Sequence, residues 1–240
     1  MHHSGGDAGI DMNTLLLFDL DGTLVLGEGA GRRAIVRAFA ALYGTGEDWT
    51  TLDTAGRTDT AIFQDMLQRL GRDPADAWSP TLWNTYFDCL VEEVQKRPGR
   101  LAPGVRELLA HCRPEAGLYP ALGTGNLERG ARIKLGPHGI NDPLPVGGFG
   151  SDTVHRAELV RIGAERARRH YGVDFDRIVV IGDTPRDAAC ARANGYACLL
   201  VATGPFDAAS LKQCEADAVL ADLSDAAAVL AAIDRLPRCK

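Results

Sequence analysis

Two pairs of aspartates follow two apolar runs of the sequence and could bind a metal ion together. Asp19 and Asp21 come after the run at residues 14–18, and Asp183 and Asp187 come after the run at 177–181. A carboxylate is costly to bury without a partner, and a cation relieves that cost. Each pair also has a simpler explanation on its own, an Asp-Gly turn for the first and helix capping for the second. Taken together, the four carboxylates favour a hard cation such as Mg²⁺, which takes oxygen ligands.

A third polar motif, Gly123-Thr124-Gly125-Asn126, follows the apolar run at residues 118–122. Small residues and a hydroxyl between a strand and a helix can direct backbone N–H groups and one O–H at a phosphate oxygen. A plain capped turn has the same sequence pattern, so this motif alone is weak. Together with the aspartates it indicates a site for Mg²⁺ and a phosphoryl group.

Five short apolar runs alternate with helical patterns, which predicts an α/β fold with a Rossmann-like parallel sheet of about five strands. Pro120 argues against a central position for its run, because it lacks the N–H that a central strand needs. Parallel neighbours bring their carboxyl ends to one edge of the sheet. We therefore expect all three polar motifs to meet at that edge.

Residues 28–97 have helical periodicity and no convincing strand, which predicts a helical domain inserted into an α/β core of residues 12–27 and 98–240. Arg57 lies beside Gly56 on a polar turn of this insertion. A guanidinium on such a loop could bind an anionic substrate through two hydrogen bonds. The alternative is a solvated surface arginine.

Composition limits the class of protein. The 240 residues are 45% hydrophobic, which is ample for a packed core, and the net charge of −6 argues against a nucleic-acid partner. No apolar run is long enough for a membrane span, and the first residues lack the pattern of a signal peptide, so we expect a cytoplasmic enzyme. Residues 1–11 are interpreted as a tag remnant or a loose tail. The six cysteines form no CxxC pair and are expected to be reduced thiols.

The three motifs resemble those of the haloacid dehalogenase (HAD) superfamily, in its phosphatase branch. They are Asp19-x-Asp21-Gly22-Thr23, Thr124-Gly125-Asn126 and Gly182-Asp183-x-x-x-Asp187, in this order. The helical insertion after the first motif resembles the cap domain of the phosphoglycolate phosphatase and β-phosphoglucomutase group. The resemblance covers residues 14–236. It implies a Mg²⁺-dependent phosphatase that hydrolyses a small phosphorylated metabolite through an aspartyl phosphate.

The resemblance also implies roles for single residues. Asp19 would be the nucleophile and a metal ligand. Asp21 would be the general acid and then the general base, and its backbone carbonyl would bind the metal. Asp183 would bind the metal directly, and Asp187 directly or through water. The phosphoryl oxygens would be held by residues of the first two motifs, namely Thr23, Thr124, Gly125 and Asn126.

The sequence departs from the family pattern in the third motif, where the family usually has a lysine before the fourth strand. Arg156 is the best positional match and would bind the phosphoryl group, although an arginine is longer and forked. Lys134 is the other candidate. Two alternative functions remain open: a sugar-phosphate mutase, and a non-catalytic binding protein on the same scaffold. The sequence predicts neither the leaving group nor the oligomeric state.

Overall fold

The computed structural model describes residues 12–44 and 48–239, so the interpretation of residues 1–11 lies outside the described chain. Within these residues the core is a sheet of six parallel strands in the order β5-β4-β1-β6-β7-β8. The strands are β1 (Thr14–Phe18), β4 (Leu118–Thr124), β5 (Gly147–Phe149), β6 (Arg177–Gly182), β7 (Ala197–Val201) and β8 (Ala218–Leu220). The predicted α/β class and parallel sheet are confirmed, with six strands instead of about five.

Strand β1 lies at the centre of the sheet because all of its residues are apolar or small enough to be buried between two helical layers. Its side chains alternate between two apolar clusters, with Leu16 and Phe18 on one face and Leu15 and Leu17 on the other. Phe18 is in register with residues of β4 and β6. The polar motifs that follow these three strands therefore start from the same edge.

Pro120 lies within β4, which pairs with strands on both sides. It is opposite Leu16 of β1, whereas pairing with β5 begins only at Leu122. At Pro120 one side of β4 is thus free of ladder pairing, and the missing N–H leaves no hydrogen bond unmade there. The proline is tolerated because the neighbouring strand is short.

Helices cover both faces of the sheet. They are α4 (Val105–His111), α5 (Glu128–Leu135), α6 (Arg156–Tyr171), α7 (Pro185–Ala193), α8 (Ala208–Leu211) and α9 (Ala226–Arg235). Among the described residues, no helix is both long and apolar enough to cross a membrane.

A separate apolar cluster joins the helices that the sequence places after the first strand. They are α1 (Ala30–Tyr43), α2 (Asp59–Arg69) and α3 (Pro80–Lys96), and we call residues 30–96 the helical segment. Phe39, Phe63 and Tyr86 form part of its interior. The chain enters and leaves through an antiparallel pair of two-residue strands, β2 (Val25–Leu26) and β3 (Arg100–Leu101). Strands this short carry no readable alternation, so the sequence did not predict them. The boundaries of an inserted domain stay a prediction.

Candidate active site

A cavity of about 560 Å³ lies between the carboxyl edge of the sheet and the helical segment. Both parts of the chain line it. The core contributes Asp19, Asp21, Gly125, Asn126, Lys134, Arg156 and Asp183, and the helical segment contributes Arg32, Arg57 and Asp59, among others. The three polar motifs of the sequence thus meet at one edge, as parallel strands require.

Three buried carboxylates form a cluster at the sheet end of the cavity. Asp19, Asp183 and Asp187 each offer an oxygen within 4.8 Å of the others. Burial, and after it the charge of Asp19, raises the pKa of Asp183 to about 9. Burial also raises the pKa of Asp19 to about 6, although Arg156 opposes this. Three carboxylates buried this close together are an environment in which a divalent cation is favoured.

The space around the cluster fits a cation held by oxygens. A Cβ on Gly22 would lie 2.2 Å from Asp183 Oδ2, and a Cβ on Gly204 would lie 1.6 Å from the same atom. The space around this carboxylate is therefore open only because both neighbouring positions are glycines. Thr23 Oγ1 donates to the other oxygen, Asp183 Oδ1, over 3.3 Å. The side chains of the cluster offer carboxylate oxygens, which suit Mg²⁺.

Asp187 has its orientation fixed by two elements. Its Oδ2 accepts hydrogen bonds from the backbone N and the hydroxyl of Thr184, at 3.0 and 2.7 Å, at the start of α7. Its Oδ1 accepts from Arg156 Nη2 at 2.5 Å. Because both oxygens are engaged, Asp187 contributes charge to the cluster from a fixed position.

Arg156 is buried between the acids, at the first position of α6. Its Nη2 lies 3.0 Å from Asp19 Oδ2, and its Nη1 donates to the carbonyl of Gly56 in the helical segment over 3.1 Å. A cation is unfavourable in the first turn of a helix unless an acid compensates it. Asp19 and Asp187 supply that compensation here.

Asp21 points to a different set of partners from the other three aspartates. Its Oδ2 accepts from Lys134 Nζ at 2.6 Å and from Asn126 Nδ2 at 2.9 Å, while its side chain stays about half exposed. Thr124 Oγ1 also accepts from Asn126 Nδ2, at 3.0 Å. Of the two cations that the sequence left open, Arg156 therefore contacts Asp19, and Lys134 contacts Asp21.

The remaining sequence candidates differ in exposure. Thr23 and Thr124 are fully buried, and Thr23 contacts the acid cluster through Asp183. Arg57 lines the cavity, but its guanidinium is already paired with Asp65 at 2.7 Å. Its role towards a substrate stays a prediction.

Asp59 is a polar residue at this site whose position sequence reasoning missed. From the sequence either Thr58 or Asp59 could cap α2, and Thr58 does so by accepting from Ala61 N at 3.2 Å. The Asp59 carboxylate instead accepts from Leu127 N at 2.9 Å and from Tyr86 O–H at 3.2 Å. Its burial raises its pKa to about 6. An acid one position inside a helix was the available signal, but that position is common without function.

The geometry separates two chemical tasks. Asp19 is a buried carboxylate beside a candidate cation position and beside Arg156, which suits attack on a group whose negative charge must be neutralised. Asp21 is half exposed and lines the same cavity, which suits proton exchange with a substrate or water.

Similar folds occur among solved structures. CbbY from Rhodobacter sphaeroides, solved in complex with phosphate, has a TM-score of 0.70 and 22% identity, over 93% of this chain and 99% of that chain. A mutant of CbbY, solved with xylulose 1,5-bisphosphate, has a TM-score of 0.68 at 22% identity, over 89% and 96%. A hydrolase from Pseudomonas syringae has a TM-score of 0.69 at 22% identity, over 92% and 99%. At this identity the likeness shows a shared fold.

Comparison with curated proteins gives no match. Comparison with protein families gives two matches. The HAD-hydrolase-like family matches residues 160–226. The family described as haloacid dehalogenase-like hydrolase matches residues 16–192, a span that contains all three motifs and most of the residues that line the cavity. The chain therefore belongs to the haloacid dehalogenase-like hydrolase family.

Proposed function

We propose that the protein is a Mg²⁺-dependent phosphatase of the phosphoglycolate phosphatase type, which hydrolyses a small phosphate monoester through an aspartyl phosphate. One observation carries the proposal. Asp19 belongs to a buried cluster of three carboxylates, and Asp21, two residues later, faces the same cavity outside that cluster. A nucleophile and a separate proton-transfer group are the two parts that this chemistry needs.

The reaction takes two displacements. A carboxylate oxygen of Asp19 attacks phosphorus, and the bond from phosphorus to the leaving oxygen breaks as Asp21 gives that oxygen its proton. Water then attacks the phosphorus of the aspartyl phosphate and passes a proton to the Asp21 carboxylate. The bond between phosphorus and the Asp19 oxygen breaks, orthophosphate leaves, and the Asp19 carboxylate is restored.

Asp19 and Asp183, with the backbone carbonyl of Asp21, would hold Mg²⁺, and Asp187 would act directly or through water. The cation would neutralise negative charge on the phosphoryl group. Arg156 supplies a further positive charge beside Asp19. Gly125, Asn126 and the hydroxyl of Thr124 would orient the phosphoryl oxygens. A cytoplasmic location stays a prediction of the sequence.

The proposal is tested by phosphate release from a panel of metabolite monoesters, including 2-phosphoglycolate, sugar phosphates and nucleotides, with Mg²⁺ or with chelator. We expect Mg²⁺-dependent release from a narrow subset. Asp19→Asn should abolish it and keep the fold, whereas Asp174→Asn, at an exposed position, should retain it. Absence of release from every member of the panel would overturn the proposal, and so would full activity of Asp19→Asn.

A further inference from the structure

We propose that Lys134 is a positioning residue for Asp21. Its ammonium and the Asn126 amide together hold one oxygen of the Asp21 carboxylate, so that the other faces the reacting atoms in both proton transfers. This inference rests on the proposed function, which assigns those transfers to Asp21.

The three side chains form a closed triangle of hydrogen bonds. Lys134 Nζ donates to Asp21 Oδ2 at 2.6 Å and to Asn126 Oδ1 at 2.7 Å, and Asn126 Nδ2 donates to the same Asp21 oxygen at 2.9 Å. Because Lys134 occupies the amide oxygen, the amide nitrogen is the end that faces Asp21. The triangle thus fixes the orientation of Asn126 as well as that of Asp21.

Both donors contact the same oxygen of Asp21. In the described parts of the chain no group donates a hydrogen bond to Asp21 Oδ1, while Asp21 lines the cavity. A half-exposed aspartate would otherwise sample several rotamers, and proton transfer needs the carboxyl group within hydrogen-bond reach of its partner. Two fixed donors on Oδ2 restrict those rotamers and leave Oδ1 to exchange the proton.

The burial of Lys134 needs an explanation that a surface ion pair does not give. The residue is only 6% exposed, although a lysine ordinarily extends its ammonium into water. Its partner Asp21 is about half exposed, so the pair does not compensate a buried acid. The charge of Lys134 also lowers the pKa of the buried acid Asp59, but the hydrogen bonds that the structure shows for that acid come from Leu127 N and Tyr86 O–H. The hydrogen bonds of the Lys134 ammonium go to Asp21 and Asn126, so its direct contacts serve to fix Asp21.

Gly31 of the helical segment makes room for this ammonium. A Cβ at position 31 would lie 2.8 Å from Lys134 Nζ and 3.3 Å from its Cε. Gly31 has no positive φ, so alanine fits the backbone of α1 and is the better helix former. Gly31→Ala would thus displace the ammonium while every charged and polar side chain of the site remains.

The test uses Lys134→Met in the full chain with 4-nitrophenyl phosphate, whose leaving group departs without a proton. The first displacement then needs no acid, and the second still needs Asp21 as a base. We expect a burst of nearly one nitrophenolate per chain, followed by steady-state turnover at least about tenfold slower than wild type. Inhibition by inorganic phosphate should change by less than about threefold. Arg129→Met, at an exposed position of the same helix that makes no contact with Asp21, should show neither effect.

Three results would overturn the inference: unchanged turnover, slow turnover without a burst, or a loss of phosphate inhibition as large as the loss of turnover. The last would mean that Lys134 binds the phosphoryl group itself. If Lys134→Met does not fold, Gly31→Ala is measured instead. The same burst of nitrophenolate is expected from Gly31→Ala, and absence of that burst would contradict the inference. Failure of the proposed function is recognised separately, because wild type itself would then release no nitrophenolate with Mg²⁺.

Discussion

At the scale of single residues, Asp183 shows how the acid cluster lowers the stability of the folded protein. Its pKa is raised to about 9 from an ordinary value of 3.8, first by burial and then by Asp19 and Asp187. The folded chain therefore holds this proton more tightly than the unfolded chain. Between these two values its stability falls as pH rises, unless a cation offsets the charge.

Asp183→Asn should stabilise the metal-free protein and remove its response to Mg²⁺, because an amide needs no proton in order to be buried and has no negative charge to bind the cation. In chelator at pH 8 we expect the Tm to rise by at least about 3 °C, the shift that 1 kcal/mol produces in a chain of this size. Added Mg²⁺ should raise the Tm of wild type and not that of the variant. Thermal unfolding with and without Mg²⁺ checks this, with Asp174→Asn as control. A variant that melts below wild type in chelator would contradict it.

The residues of the motifs were predictable because each lies next to a strand that is readable in the sequence. Asp19 and Asp183 follow apolar runs, and parallel pairing then brings them together. The Lys134 contact with Asp21 spans 113 positions, and the Asp59 contact with Leu127 spans 68. Such contacts depend on how whole helices are placed, which residue spacing does not encode. Lys134 was therefore only one of two candidates, and Asp59 was only one of two residues that could cap α2.

At the scale of elements, the first turn of α2 meets the N-cap residue of α5, Leu127, through Asp59. The carboxylate lies near the N-terminal ends of both helices, where negative charge is favoured. Its burial nevertheless dominates and raises its pKa to about 6, although Lys134 and Leu127 N oppose this. An ionised Asp59 is thus a net cost to the folded state.

Asp59→Asn should remove this cost while keeping an oxygen for Leu127 N and Tyr86. In wild type the stability contributed by protonated Asp59 is lost as pH rises from about 4 to about 6, because the pKa of Asp59 is higher in the folded than in the unfolded chain. Relative to wild type, the free energy of unfolding of the variant should increase by roughly 3 kcal/mol between pH 4 and pH 7. Urea unfolding at both pH values measures it, with Asp88→Asn, exposed on α3, as the control. An equal difference at the two pH values would contradict the assignment.

At the scale of the whole molecule, the helical segment meets the core through very close backbone contacts. Asp59 N donates to the carbonyl of Gly125 at 2.7 Å, and Thr60 Oγ1 donates to that of Gly150 at 2.8 Å. A Cβ on Gly125 would lie 2.2 Å from the Arg57 carbonyl oxygen. The two parts of the chain can approach this closely only because no side chain stands at position 125.

Gly125→Ala should push the helical segment away from the cavity and leave the acid cluster intact. We expect kcat/KM for the preferred metabolite to fall at least about tenfold, since a misplacement of about 1 Å can cost a hundredfold in rate. The Mg²⁺-induced rise in Tm should persist, because Asp19 and Asp183 lie on the core. Gly136→Ala, where a Cβ meets nothing closer than 3.9 Å, is the control. Retention of full activity by Gly125→Ala would show that the close contact is dispensable.

These contacts have a consequence for how the protein can diverge in evolution. On the core side the acceptors are main-chain carbonyls of Gly125, Gly150 and Val154, which every residue type possesses. The donors on the helical segment are the backbone N of Asp59 and the hydroxyls of Thr58 and Thr60, three successive residues at the start of α2, and the side chains of Arg32 and Arg57 take no part in these hydrogen bonds. Cavity-lining residues such as Arg32 and Arg57 can therefore be exchanged, and selectivity can drift between lineages, while the attachment of the two parts stays the same.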